Sequence, residues 1–415
     1  MYMDGVQGTL KDRWLIALCG SRTLMYAMFM VYAASLPVLM REWDMSAAQA
    51  GTVSGAFMLA YAASLVASAW LAERFGARNV FMWSAWSSGI TSIAFGLLAR
   101  DYVCAVLLYA LAAVTQGGTY APALMLFADR YPTSVRGRAV GMLIASTSIG
   151  YALSLLVAGV LLGIGGYQLA FVVCGALPML GAVLSAMALR DTPNVIHARS
   201  RGESSLRAML GNRDGVRLII GYTGHSWELL GMWQWLPAFL AASLALAGDS
   251  AGEAAALGAG FTAAMHICGS FASSTMGGLS DRLGRRTVLL ALAALGAAFS
   301  LGLGWLVAMP FWLLVLLSLG YGFVSVGDSP VLSTALTEAM PSAHLGTALA
   351  TRSILGFGGG AMSPVVFGMV LDATATGPAQ VSWGLAFASL GVGGLVATWF
   401  AARLGMHSHS GEHRS

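Results

Sequence analysis

Charge is scarce in this chain: Asp, Glu, Lys and Arg make up 10% of its 415 residues, against roughly 25% in soluble domains. A soluble helical bundle needs polar outer faces. The long runs between the few charges have none, which excludes that class. Cysteine is equally sparse. Cys19, Cys104, Cys174 and Cys268 all fall within apolar runs, with no metal-ligand spacing and no loop pair to oxidise, so they read as small packing residues. No Gly-rich phosphate loop ending in Lys-Ser/Thr is present, which removes ATP as an energy source. No nucleophile and base stand in a recognisable arrangement either, so no enzyme and no cofactor are expected.

What the chain has instead is apolar length. Hydrophobic residues are 57% of it, and Gly is abundant at 52. Twelve apolar runs cover about 14–39, 47–71, 79–99, 103–127, 138–163, 168–189, 216–242, 253–278, 286–308, 311–337, 345–371 and 380–403. Each is long enough as a helix to cross ~30 Å of hydrocarbon, and glycine suits close helix packing where lipid gives no hydrophobic drive. The first run is too long for a cleavable signal peptide and continues into the bundle. With the N-terminus inside, 18 of the 22 Lys and Arg fall on inner segments, and two, Arg41 and Arg100, on outer loops. This bias predicts a bacterial inner membrane protein with both termini cytoplasmic. The pI near 9.0 then describes a membrane face and gives no sign of nucleic-acid binding. Trp43, Trp305 and Trp312 near outer ends and Trp14 near an inner end fit interfacial belts.

Two charged stretches punctuate the runs in one pattern. AWLAERFGAR (Ala69 to Arg78) and GGLSDRLGRR (Gly277 to Arg286) each carry an acid, Glu73 or Asp281, followed by Arg74 or Arg282. Gly76 or Gly284 stands three residues after the acid, and the two acids lie 208 residues apart. Asp129, Pro132 and Gly137 of ADRYPTSVRG recur as Glu338, Pro341 and Gly346 of TEAMPSAHLG, 209 residues later. Two landmarks at nearly one offset indicate duplication. The expected organisation is an N-terminal six-helix half at 1–189, a basic linker at 190–215 suited to an anionic leaflet, a second half at 216–403 and a tail at 404–415. His407, His409 and His413 in the tail read as a polar end, with no metal site.

With Gly-x-Leu-x-Asp-Arg-x-Gly-Arg-Arg after the second and eighth runs, the chain resembles the major facilitator superfamily over essentially its whole length. The first copy departs from the signature at Ala69, for Gly, and at Glu73, for Asp. The resemblance implies an all-α integral membrane fold of twelve helices. Two pseudo-symmetric six-helix bundles would rock about a central site near the midplane, giving alternating access, with spans 1, 4, 7 and 10 lining the cavity. It further implies that Glu73, Arg74, Asp129, Asp281, Arg282, Arg286 and Glu338 form a gate. Their contacts at the inner surface would hold that side closed in one state and break in the other.

The substrate site is sought among ionisable groups inside spans, each costing ~2.5 kcal/mol or more at a helix centre. There are four, Arg22, Glu228, Asp328 and Arg352, all lying in the inner half or middle of the membrane when counted from the inner ends of their runs at ~1.5 Å per residue. Helical spacing places Tyr26 and Phe29 on the face of Arg22, and His225, Glu228, Met232 and Trp235 on one stripe. Tyr321, Ser325 and Asp328 share a third face, and Gln116, Thr119 and Tyr120 a fourth. Aromatic walls with a few convergent polar groups suit a small ligand. Shifted by 208 residues, Arg22 lands within one turn of Glu228, so the halves are expected to oppose unlike charges.

Arg22 is expected to bind an anion through two parallel hydrogen bonds; the alternative is an ion pair with Glu228 or Asp328. Arg352 is expected to pair with Asp328 or to snorkel to the inner surface. Glu228, Asp328 and His225 are the proton-coupling candidates, and His266 reads first as a packing residue. The drug antiporter branch of the family carries Gly-Pro on span 5, where this chain has Gly150 and Tyr151, while an Arg on span 1 looks like the anion uptake branches. The expected function is proton-coupled uptake of a small organic or inorganic anion, with drug or metabolite export by proton antiport as the alternative. The expected partners are an anionic small molecule, protons and lipid, with the carrier a monomer.

Overall fold

The computed structural model describes residues 12–196 and 206–405; the tail histidines lie outside the described residues. With no water in hydrocarbon to satisfy the backbone, each crossing segment closes its own hydrogen bonds as helix. The first half comprises α1 (Arg13–Tyr26), α2 (Val31–Glu42), α3 (Ala47–Phe75), α4 (Ala77–Leu98), α5 (Tyr102–Gly117), α6 (Ala121–Arg130) and α7 (Thr133–Ala188). A short α8 (Leu206–Gly211) precedes the second half: α9 (Arg213–Ala247), α10 (Ala251–Leu283), α11 (Arg285–Gly302), α12 (Phe311–Ala339), α13 (Ser342–Ala373) and α14 (Ala379–Ala402). Eleven segments among the described residues are long and apolar enough to cross a membrane. The difference from twelve lies in α7, which holds two spans joined without a loop at Gly166 (φ 71°, ψ −171°). The duplication is visible in the backbone. The two copies of the charged loop turn on Gly76 (φ 86°, ψ 145°) and Gly284 (φ 88°, ψ 141°), each closing one helix and opening the next. A side chain is strained at such φ.

Spans 1 and 4 are each broken in mid-membrane, between α1 and α2 and between α5 and α6. The carbonyls and amides freed at the first break are taken up by neighbours. Tyr109 Oη donates to the Phe29 carbonyl at 2.6 Å, Gln116 Nε2 donates to the Met25 carbonyl at 2.8 Å, and the Met30 amide donates to Ser154 Oγ at 3.1 Å. At the second break Gly118 passes so close to Ser84 that a Cβ would overlap its hydroxyl. The corresponding spans of the second half, in α9 and α12, are continuous.

The halves meet through α3 with α13, α7 with α10, and α2 with α9 and α10, whereas α1 and α6 pack within their own half. Contact is thus concentrated at the face opposite the basic loops. There Gly51 and Gly55 let α3 lie directly on the backbone of Pro364 and Ala361, and Gly368 does the same against Ala47. The Asp372 carboxylate accepts the Ala47 and Ala48 amides at 2.8 Å each, tying the end of α13 to the start of α3. At the basic face two sets of ion pairs each stay within one half. Arg285 holds Asp281 at 2.5 Å and Glu338 at 2.9 Å, and Arg130 holds Asp12 at 3.5 Å. The residue gathering both acids is therefore Arg285, where Arg282 and Arg286 were expected. Arg282 is exposed, and Arg286 donates to the Ala402 carbonyl at 2.7 Å. In the first copy Glu73 is exposed and Arg74 lies over the Trp70 and Phe75 rings at 5.8 and 5.6 Å. Asp129 sits at the exposed end of α6. Trp14 is buried against Phe127, with its Nε1 on Thr192 Oγ1 at 3.1 Å, so it packs inside the half and forms no lipid belt.

Candidate functional site

The break in span 1 positions the first charge. Arg22, one turn before the end of α1, is 4% exposed. Its Nε donates to Thr147 Oγ1 at 2.6 Å and its Nη2 to Tyr26 Oη at 3.2 Å. Nη1 reaches the Thr119 carbonyl, at the break of span 4, at 3.4 Å. The guanidinium lies over the rings of Tyr26 (4.6 Å) and Tyr120 (5.1 Å), and Tyr26 Oη is bonded to Tyr61 Oη at 2.7 Å. Among the described residues no carboxylate pairs with Arg22. A buried guanidinium with neutral partners alone carries an uncompensated charge. Phe29, in the break, packs on Tyr151 (4.7 Å) and Phe57 (4.9 Å), extending an aromatic wall. Gln116 is spent on the span 1 backbone, as described above.

The second half presents a different set. His225 Nδ1 is 3.0 Å from Asp328 Oδ1, and its Nε2 is 3.0 Å from Ser329 Oγ. The contact with Asp328 is at ion-pair distance without hydrogen-bond alignment, so Oδ1 retains a free lone pair. Arg352 donates Nη1 to Ser333 Oγ at 2.9 Å and lies 4.3 Å over the Tyr222 ring. Its buried Nε has no acceptor. The expected pairing of Arg352 with Asp328 is absent from the described ion pairs, because His225 stands against that carboxylate. The Arg22 cluster reaches the second half through Tyr61, which is bonded to Tyr26 and whose ring lies 5.9 Å from that of Phe357, five residues after Arg352 on α13. Toward the sealed face, a narrow cleft between the halves is lined by Phe29, Ser54, Tyr109, Trp233, Gln234 and Pro364, among others.

Glu228 is elsewhere. It accepts from Ser300 Oγ at 2.7 Å and fills the room left by Gly296 and Gly394, where a Cβ would approach its oxygens to 3.1 and 2.8 Å. Tyr321 bonds to the same Ser300 and stacks on Phe299. Both therefore belong to the interior of the second half, and the expected opposition of Arg22 and Glu228 is not formed. The position equivalent to Arg22 is Leu230, and two residues are about 200° of helix, which points Glu228 away from it. Met232 is fully buried in the core. His266 lies between the rings of Tyr151 (5.5 Å) and Trp233 (5.2 Å), its buried Nε2 unpartnered. Thr147, Tyr61, Tyr222 and Ser333 escaped sequence reasoning. They are ordinary polar residues in apolar runs, and only their contacts with Arg22, Tyr26 and Arg352 mark them.

A family model described as "Major Facilitator Superfamily" matches residues 18–364. The chain is 28% identical to the probable sulfoacetate transporter SauU of Cupriavidus necator, over 94% of each chain. It is 27% identical to the cis,cis-muconate transport protein of Acinetobacter baylyi, over 88% of each. The fold is similar to that of a bacterial homolog to the human lysosomal transporter Spinster, in an inward-facing and occupied conformation. That match has a TM-score of 0.71 at 20% identity over 94% of each chain.

Proposed function

The chain belongs to the major facilitator superfamily, and from that premise we propose that it is a proton-coupled importer of a small organic anion. It is a multi-pass membrane transporter and not an enzyme. One observation carries the proposal: Arg22 is buried at the break of spans 1 and 4 with only neutral partners. An anion entering the cavity supplies the charge the protein withholds, and the planar guanidinium favours a carboxylate or sulfonate. The same unpaired charge opposes a cationic cargo. The two relatives, a probable sulfoacetate transporter and a cis,cis-muconate transport protein, support this class.

The proton is assigned to the second half. His225 and Asp328 stand at ion-pair distance in the hydrocarbon region, where a shared proton removes a charge from a costly environment. Glu228, bonded to Ser300, is a second buried carboxylate available to the same helix. We place the carrier in a bacterial inner membrane with its basic loops and both termini in the cytoplasm. The sealed face is then the outer one, and the described arrangement is the state that releases cargo inward. The gate residues at the basic face, with Arg285 at their centre, would engage across the halves in the opposite state. The carrier is assigned as a monomer.

The test is uptake of labelled sulfoacetate into proteoliposomes with an inwardly directed proton gradient. Wild type should accumulate it, Arg22→Gln should not, and Asp328→Asn should exchange it across the membrane without accumulating it. Accumulation by Arg22→Gln at the wild-type rate, or indifference of the wild type to collapse of the gradient, would overturn the proposal.

A further inference from the structure

We infer that the cargo is a dianion held between the halves, one acidic group on Arg22 and the other on Arg352. This rests on the anion reading of the site and extends it to a substrate class. Neither guanidinium has a carboxylate partner among the described ion pairs. The acids placed to neutralise Arg352 are engaged elsewhere, Asp328 beside His225 and Glu228 on Ser300. Both arginines retain donors. A guanidinium has five N–H groups; Arg22 uses three, the one to Thr119 at a long 3.4 Å, and Arg352 uses one, with its Nε buried and unpartnered.

Each head group also lies over an aromatic ring, the Arg22 guanidinium carbon 5.1 Å from the centre of Tyr120 and that of Arg352 4.3 Å from the centre of Tyr222. The Arg22 cluster touches the helix that carries Arg352: Tyr26, bonded to Arg22, is bonded to Tyr61, whose ring lies 5.9 Å from Phe357, and both arginines act on the Tyr120 phenol, so the two charges flank one space from opposite halves. A monoanion at Arg22 leaves Arg352 uncompensated; a molecule with an acidic group at each end neutralises both. The occupied carrier gains a second property. Two like charges on opposite halves repel when the space is empty, whereas a bridging dianion draws the halves together around itself, so occlusion follows from cargo charge.

The test compares binding of cis,cis-muconate with that of its monomethyl ester, by calorimetry on the full-length carrier in detergent. The two ligands share shape and differ by one charge. Wild type should bind the diacid roughly ten- to a hundred-fold more tightly, the range for hydrogen bonds to a charged group. Arg352→Gln should bring the diacid down to the affinity of the ester while leaving the ester unchanged, and Arg352→Lys should restore part of the difference. Equal binding of the two ligands by wild type overturns the dianion assignment without need of any variant. So does a loss in Arg352→Gln that is the same for both. If the ester and the diacid both bind through Arg22 with no dependence on Arg352, only this inference fails. If neither binds and an organic cation does, the anion reading itself has failed.

Discussion

Replacing Gly51 by Ala should loosen the sealed face. The new Cβ would stand 2.7 Å from the Pro364 carbonyl carbon and 2.8 Å from Val365 Cα, where ordinary contact starts at 3.4 Å. Both are backbone atoms, so no side chain can swing aside and α3 must lift from α13. A gap of roughly 0.5–1 Å already forfeits a quarter to a half of the dispersion energy of the atoms across it. Overpacking of this kind costs about 1–3 kcal/mol, which shifts a two-state equilibrium by about 5- to 150-fold. The cost falls on the sealed state alone, because the seam parts when that face opens. Ser54, 4% exposed and lining the cleft behind the seam, is the reporter. In a chain lacking its four native cysteines, Ser54→Cys should react slowly with a membrane-impermeant maleimide applied to that face. Adding Gly51→Ala should raise the rate by the same 5- to 150-fold. An unchanged rate in a carrier of normal thermal stability would refute the argument that close backbone approach holds the face shut.

Two further outcomes follow from single contacts. Tyr109→Phe removes the donor to the Phe29 carbonyl at the span 1 break; an unsatisfied buried acceptor costs about 1–3 kcal/mol, so the melting temperature in detergent should fall, and no change would mean that another donor satisfies this carbonyl. Burial raises the Asp12 carboxyl, but the Tyr131 hydroxyl, the Arg130 charge and the Trp14 amide outweigh it and hold it below its ordinary value. A depressed acid contributes stability above its unfolded value, near 3.9, and loses it as pH falls through its folded value. The gap in melting temperature between wild type and Asp12→Asn should therefore be flat at neutral pH and close in acid; a gap that widens on acidification would contradict the assigned contacts.

The membrane makes the architecture legible in the sequence and hides part of the site. Each span had to be a long apolar run, so the runs stand out in the composition, and the duplication shows where the two loops need the same glycine. The join at Gly166 falls in the gap between the runs at 138–163 and 168–189; what the sequence leaves unread is that one left-handed glycine makes the turn without a loop. The breaks after Tyr26 and Gly117 escaped altogether. Apolar windows average over three or four residues, and the side chains that satisfy the freed backbone, Tyr109, Gln116 and Ser154, come from other helices. Periodicity put Tyr26 on the face of Arg22, where the two are bonded, but not Tyr120, which comes to Arg22 from another span. It also put Glu228 on a stripe with His225, and that stripe exists, but periodicity says which residues share a face and not what the face meets. The second half turns this one toward Ser300 and Asp328.

The interruption of span 4 has an electrostatic consequence of its own. A continuous helix carries its dipole ends to the membrane surfaces; α6 begins in mid-membrane, next to Tyr120 and the guanidinium of Arg22. Its amino end bears about half a positive charge, supplied by peptide groups that no side-chain substitution can remove. The carboxyl end of α5 stands at the same break with the opposite sign, so the main chain sets a positive and a negative pole in mid-membrane, and Arg22 donates to the Thr119 carbonyl between them.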